Sequence, residues 1–468
     1  MSVYGLKFPK TPRKTALYEA EEWYQNLLAE KLCMPYAAIQ RSNFGQYDMA
    51  VHYLTSILEE ARAIEKVAVF NIDHMGQIMF SGKDASALLN RVLPADIENM
   101  QIGQCKYTLL LNENGTVRDD MIVMKQAVDS FILVINAGHD ITDKEIVEGV
   151  EIEFLSDADF IMQHKREHEI VFVKNISEKF VKIDIQGPFS YKVITDIFGK
   201  DVLKNRSNPE KNMAFFSFNE VVLSCSHCPQ TSDMEKNNKT PSTYFFSRTG
   251  YTNRWGWEIF VPIEHAVCRF KQIVLKAFEY GGLLVGLGGR DENRISAGNV
   301  GLPLMGSEYD GFHTPTNAPL IDAAIDWNKG DFIGREALLK EKEKNITKKM
   351  VIIVAEGNIV NNGVYLSGER LGSVTSCIIS PNVPLEKRLF IGSSRKNVND
   401  ENGTAAIALA WLYKDPFVEN NDQPIRIKVE LFREKDGQVV GKPVLGYISS
   451  DGVNPATAPK PLKNIENL

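Results

Sequence analysis

Three features of this 468-residue chain predict an α+β fold. First, strand-like runs joined by tight turns are interspersed with amphipathic helices, without the strict β–α–β alternation of a doubly wound parallel sheet. Second, CKYTLLLNENGTVRDDMIVMK (105–125) is a strong hairpin, because Asn114-Gly115 separates two apolar runs. Third, the pattern after about residue 345 is strand-rich with many Gly and Pro turns, which predicts a separate β-domain near 340–460.

Taken in order, 15–32 and 48–66 carry helical spacing. VAVFNIDHMGQIMFSG (67–82) is β-rich, and 83–93 is an amphipathic helix. SFILVINAG (130–138) is a strand, and 180–199 is a strand, a Gly-Pro turn and a helix. AFFSFNEVVLSCSH (214–227) and TYFFSRTGYTNRWGWEIFVP (243–262) are hairpin-like, with a polar surface loop at 230–243. Residues 263–281 are a helix closed by Gly281 and Gly282. NPATAPKPLKNIENL (454–468) is expected to be an extended tail.

Composition excludes several function classes. The formal net charge of −7 is spread along the chain, so no basic nucleic-acid footprint exists. No apolar run is long enough for a transmembrane helix. The basic start, MSVYGLKFPKTPRK, lacks the apolar stretch of a secretory signal. Six cysteines in this length make no disulfide framework, so a reducing cytoplasm is expected. Cys225-Ser-His-Cys228 has the spacing of a metal knuckle or a redox pair. No second CxxC or HxxxH accompanies it, and VVLSCSHC alternates like a strand, so a bystander strand is expected and no metal.

Three stretches carry candidate chemistry. Asp119 and Asp120 follow the hairpin turn and precede MIVM. Strand alternation points one to solvent and the other to a cleft, where a carboxylate can bind a polar ligand or move a proton. A solvated turn is the alternative. Glu258 sits between Trp257 and Ile259, so it must be paired, neutral or bound to something. In GLGGRDENRISAG (286–298), glycines precede a helix whose first turn holds Asp291 and Glu292. Arg290 and Arg294 share one helical face and could grip a carboxylate-bearing ligand; ordinary capping and ion pairs compete with that reading. No GxGxxG is present.

Eight segments, in order, resemble the aminomethyltransferase family: the glycine-cleavage T-protein and its folate-dependent relatives. They are NIDHMGQIMFSG, YTLLLNENGTVRDDMIV, LVINAG, IDIQGPFS, SRTGYTNRWGWEIFVP, GLGGRDENRISAG, GDFIGREAL and GSVTSCIISP. The resemblance implies a three-domain ring around a central tetrahydrofolate channel. It divides the chain into a folate-binding region at 1–340, made of two interleaved α+β domains, and a C-terminal β-barrel-like domain at 341–468. It makes Asp120 the catalytic acid, with Asp119 outward or a helper, and Glu258 the pterin-gripping residue. Met75, Tyr107, Asn136 and Arg290 are then folate-binding.

The sequence also departs from the family. TGEDGFE has become TNRWGWE, FDVSHM has become FNIDHM, and extra length lies in the N-terminal helices, at 230–243 and near 386–404. These changes resemble relatives that demethylate small donors, such as dimethylsulfoniopropionate or methoxylated aromatics. The aromatic O-demethylases implicate the histidine that matches His74 as catalytic, although their active-site tyrosine falls at Asp291. A structural role for His74 is the alternative. The expectation is therefore a demethylase moving a methyl group from a small-molecule donor to tetrahydrofolate. Arg254, Trp255 and Trp257 are expected to bind that donor, unless the tryptophans fill the core of a hairpin. Glycine-cleavage aminomethyl transfer, with a lipoyl carrier protein as partner, is the alternative. A non-catalytic folate-binding protein and a piece of a flavin amine dehydrogenase rank lower.

Overall fold

The structure is a computed structural model that describes residues 12–32, 39–54, 56–147, 150–206, 208–225, 241–298, 301–344, 348–357, 359, 362–380, 405–414, 426–435 and 438–449. Residues 1–11, Cys228, most of the 230–243 loop, the 386–404 insertion and the 454–468 tail lie outside them.

The α+β expectation holds, and the chain weaves between two sheets. A five-stranded antiparallel sheet runs Phe172–Asn175, Gly76–Ser81, Ser130–Ile135, Val117–Ala127, Cys105–Leu111. A six-stranded sheet runs Phe218–Leu223, Ser242–Ser247, Gly256–Pro262, Phe180–Gln186, Ala68–Asn71, Leu283–Val285, with only the last pairing parallel. Beyond them, Lys349–Ala355 opens a closed six-stranded barrel that ends with Gln438–Ser449. Closure leaves the barrel no free edge. No helix among the described residues is long and apolar enough to cross a membrane.

The 105–125 hairpin forms as read. Gly115 takes φ +81, a value suited to glycine. Asn114 Oδ1 accepts from the Thr116 backbone N–H and hydroxyl, fixing the turn. The helix at Ala266–Glu279 buries Ala266, Phe270, Ile273, Val274 and Ala277, the spacing of one apolar face. That face covers the six-stranded sheet, joining Val181, Ile183, Ile185 and Ile259 in one core.

Three local expectations are corrected. Residues 48–66 are not one helix: Tyr47–His52 pairs with Gln40–Phe44, and the helix spans only Ile57–Arg62. Gly45 makes that ribbon turn at φ +56, and tertiary pairing overrides local spacing. The 67–82 run is split, because Ala68–Asn71 and Gly76–Ser81 belong to different sheets, so His74 and Met75 lie in a crossover rather than on a strand. Among the described residues 214–225 no hairpin forms; Phe218–Leu223 pairs with Ser242–Ser247 instead.

The 286–298 glycines have a packing role. The helix starts at Leu287, so Gly288 and Gly289 lie inside its first turn and Asp291 and Glu292 come after it. A Cβ on Gly286 would lie 2.3 Å from the Val51 carbonyl oxygen, and one on Gly288 would lie 2.8 Å from Ile57. Gly286→Ala should therefore destabilise the protein by about 1–3 kcal/mol in chemical denaturation. Gly330→Ala meets nothing within 4 Å and should stay within about 0.5 kcal/mol of the parent.

Candidate active site

Period-2 alternation on two facing strands builds the site. In the register Leu109↔Asp120 and Leu110↔Asp119, the two carboxylates point to opposite faces of the five-stranded sheet. Asp120 faces a cavity of about 430 Å³. Asp119 faces away, but not to solvent: it is fully buried on the side where Met121 and Val123 enter the core. The expected outward Asp119 is thus corrected, because both faces of this sheet are covered.

Across the cavity, Asp184↔Glu258 is a register pair of the six-stranded sheet. His74, Met75, Tyr107, Asn136, Asp120, Glu258 and Arg290 all line one cavity, joined by Thr249 and Tyr251. A second cavity of about 350 Å³ adjoins it, sharing Phe44, Tyr251, Arg290 and Leu304.

Each charged group has a distinct environment. Burial raises Asp120 above its ordinary value, while Asn136 and Tyr107 hold it back. Asn136 Nδ2 donates to Asp120 Oδ1 at 2.7 Å, and the Tyr107 hydroxyl donates to Oδ2 at 3.1 Å. Burial also opposes ionisation of Glu258, but Lys182 and Arg290 outweigh it and hold Glu258 below its usual value. Lys182 Nζ lies 2.8 Å from Glu258 Oε2. Burial, with Arg290 and Lys182 nearby, pushes His74 well down, so its imidazole is neutral. Burial and the neighbouring Glu258 lift Asp184 to about 7.

The two arginines part company. Arg294 is consumed by Asp291, Glu308, Ser376 and the Leu302 carbonyl. Arg290 is buried with its guanidinium 5.0 Å from the Tyr251 ring centroid, and among the described residues its Nε has no hydrogen-bond partner. His74 Nδ1 is likewise unsatisfied there. Buried orphan polar atoms at a cavity wall mark a place where a polar ligand completes the bonding.

Arg254, Trp255 and Trp257, expected to bind the donor, are not among the residues that line either cavity. The alternation that turns Glu258 inward turns Trp257 outward, into the core beneath the helices. Trp257 is fully buried, and its Nε1 donates to Met213 Sδ at 3.3 Å. Trp255 packs edge-on against it at 6.1 Å and carries the Arg248 guanidinium on its ring. Arg254 is half-buried, with Glu292 and Glu65 as its charged neighbours.

Sequence reasoning missed Lys182, Asp184 and Gln186. They alternate with Val181, Ile183 and Ile185, a pattern that resembles a solvated sheet face. Here that face turns toward the other sheet, and Gln186 Nε2 ties Asp184 Oδ1 to the Thr249 carbonyl. The available signal was the register itself, which sets Asp184 opposite Glu258.

Comparison with known proteins gives a consistent family. Residues 37–329 match the GCVT N-terminal domain. An aminomethyltransferase of Caldanaerobacter subterraneus subsp. tengcongensis is 30% identical over 374 residues, covering 79% of this chain and 85% of that protein. One from Desulfitobacterium hafniense is 31% identical over 356 residues, covering 75% and 84%. The glycine cleavage system aminomethyltransferase T of Bartonella henselae shares the fold, with a TM-score of 0.65 at 23% identity over 95% of this chain and 98% of that one.

The raised Asp184 has a consequence for stability. Its proton favours the folded state, fully so below its ordinary 3.8, and that contribution is lost as pH rises toward 7. Glu60 and Asp73 are also lifted to about 7 by burial, and they act equally in parent and variant. Between pH 4 and 8, urea unfolding should show the parent losing more stability with rising pH than Asp184→Asn. Parallel curves would refute the assignment.

Proposed function

The chain belongs to the aminomethyltransferase family of folate-dependent one-carbon transferases, and from that premise we propose that it transfers an aminomethyl group, as in glycine cleavage, to tetrahydrofolate held between Glu258 and Asp120. The observation that carries this reading is the single cavity on which Asp120, Glu258, Arg290, Tyr107, Asn136, Met75 and His74 converge. The withdrawal of Arg254, Trp255 and Trp257 from that cavity removes the ground for preferring a small methylated donor. The donor is then an aminomethylated lipoyl arm of a carrier protein, the kind of partner that a glycine-cleavage reaction requires.

The lining suits a pterin. Ionised Glu258 is an acceptor for paired N–H donors, while Arg290 and neutral His74 offer unspent polar atoms. Apolar Met75, Ile122 and Val134 supply flat contact and exclude water. Tetrahydrofolate, when bound, supplies the nitrogens that accept the one-carbon unit. Asp120 handles the proton: burial favours its neutral form, whereas its bonds from Asn136 and Tyr107 favour the carboxylate, so both forms are within reach. Tyr107 is raised well above its usual value by burial and the Asp120 charge, so it stays a hydroxyl donor and orients Asp120 Oδ2. His74 packs edge-on against Phe44 at 5.0 Å; held neutral by burial and the nearby Arg290 and Lys182, it is a hydrogen-bonding group at the wall rather than a base.

The test supplies tetrahydrofolate with either the aminomethylated carrier protein or small methyl donors, including vanillate and dimethylsulfoniopropionate. Methylene-folate and ammonia should appear with the carrier; methyl-folate formed from a small donor alone would overturn the reading. Asp120→Asn should keep folate binding and lose about a hundredfold or more in turnover. Glu258→Ala should weaken binding by about 1.5–3 kcal/mol by calorimetry; unchanged affinity in the folded variant would remove Glu258 from the site.

A further inference from the structure

Behind the cavity wall lies a second buried cluster. Asp119 and Asp157 are essentially without solvent exposure, and His139 lies between them, its Nδ1 3.7 Å from Asp119 Oδ2 and 3.5 Å from Asp157 Oδ1. Arg118 Nε lies 3.2 Å from Asp157 Oδ1. None of Asp119, His139 and Asp157 lines the cavity. Burying two carboxylates, an imidazole and a guanidinium behind a catalytic sheet is costly unless the group has a task.

Asn136 links this cluster to the cavity. Its backbone N–H donates to Asp119 Oδ2 at 3.1 Å, and its Nδ2 donates to Asp119 Oδ1 at 2.8 Å. The same Nδ2 donates to Asp120 Oδ1 at 2.7 Å and to the Asp120 carbonyl at 3.0 Å. A side-chain amide can point its NH₂ or its oxygen toward a given neighbour, and here the neighbour decides. Both Asp119 oxygens accept, so the amide must present its NH₂, which then also reaches Asp120. A reversed amide would set an oxygen against the Asp120 carboxylate and repel it.

We propose that the buried Asp119–His139–Asp157 cluster is a positioning unit for Asp120, acting through the Asn136 side chain that bridges the two adjacent carboxylates. It rests on the role given to Asp120 above. Asp119 fixes the orientation of the amide. His139 from the loop after Ser130–Ile135 and Asp157 from the start of the helix Asp157–Gln163 hold Asp119 in place, while Arg118, its neighbour on the same strand, pairs with Asp157. Burial pulls His139 down, but Asp119 and Asp157 overcome it and push the imidazole up to about 9, with Arg118 opposing. The cluster therefore keeps a cation behind Asp119 at neutral pH, paired first with Asp157, which, against burial, His139 holds below its ordinary value, while burial and Asp157 push Asp119 up.

The consequence is a defined effect on proton handling. Asp119→Asn sets an NH₂ against one of the Asn136 donors and forces the amide to turn. Asp120 then loses a bond that favours its ionised form, so its titration moves upward. Turnover should fall at least about thirtyfold, with folate affinity within about threefold, and the acid limb of the pH–rate profile should move up by about one unit. His139→Gln, which keeps a hydrogen-bonding side chain but removes the cation, should move kcat and the limb the same way by a smaller factor. This second variant serves if Asp119→Asn does not fold.

A readout free of turnover separates this proposal from the functional reading. The ¹³Cγ titration of Asp120, identified by its disappearance in Asp120→Asn, should move upward in either variant even if no donor is accepted. An absence of folate turnover in the parent protein would refute the functional reading and leave this titration as the test of positioning. An unmoved titration in a folded variant, or a stoichiometric metal ion bound by the three ligands in the purified protein, would overturn the proposal.

Discussion

The structure depends on compensating charge buried between two sheets. Glu258 stays ionised there because Lys182 reaches it and Arg290 stands nearby. Losing one partner of such a pair costs far more than the pair contributes, because the remaining charge is stranded away from water. The two sheets can face each other across a cavity lined by Glu258 only because the Lys182 face supplies that charge.

The same constraint sorts the other ionisable groups. Asp120 is placed opposite neutral donors rather than a cation, and it is raised where Glu258 is lowered. Two carboxylates on facing sheets are thus pushed apart by their surroundings, which suits the separate gripping and proton-moving tasks proposed for them. Arg290 and Arg294 show the same sorting on one helix. Arg294 is spent on Asp291, Glu308 and the barrel residue Ser376, whereas Arg290 reaches the cavity with an unsatisfied Nε. One helix therefore fastens the barrel and furnishes the site.

Much of the site was legible in the sequence, because it is written in alternation. The Asn114-Gly115 hairpin and period 2 placed the two carboxylates on opposite faces of one strand, the family resemblance pointed to Asp120, and the register turns Asp120 to the cavity. Alternation failed where the second face was also covered. Asp119 looked solvent-bound, and Lys182, Asp184 and Gln186 looked like a polar surface, since a chain does not announce what packs on it. The tryptophans were ambiguous for a related reason: large aromatics beside a cavity-lining strand fit either a cavity wall or a core, and only the register with Ile185 assigns Trp257 to the core. The break at 72–75 was missed because both halves are strand-like; only the sheet partners differ.

The central claim is that the acceptor sits between the two facing carboxylates, and diffraction from crystals grown with tetrahydrofolate tests it most directly. The account predicts pterin density in the 430 Å³ cavity, against Glu258 and within hydrogen-bonding reach of Asp120. A pterin bound elsewhere, or held in this cavity without contact to either carboxylate, would contradict it.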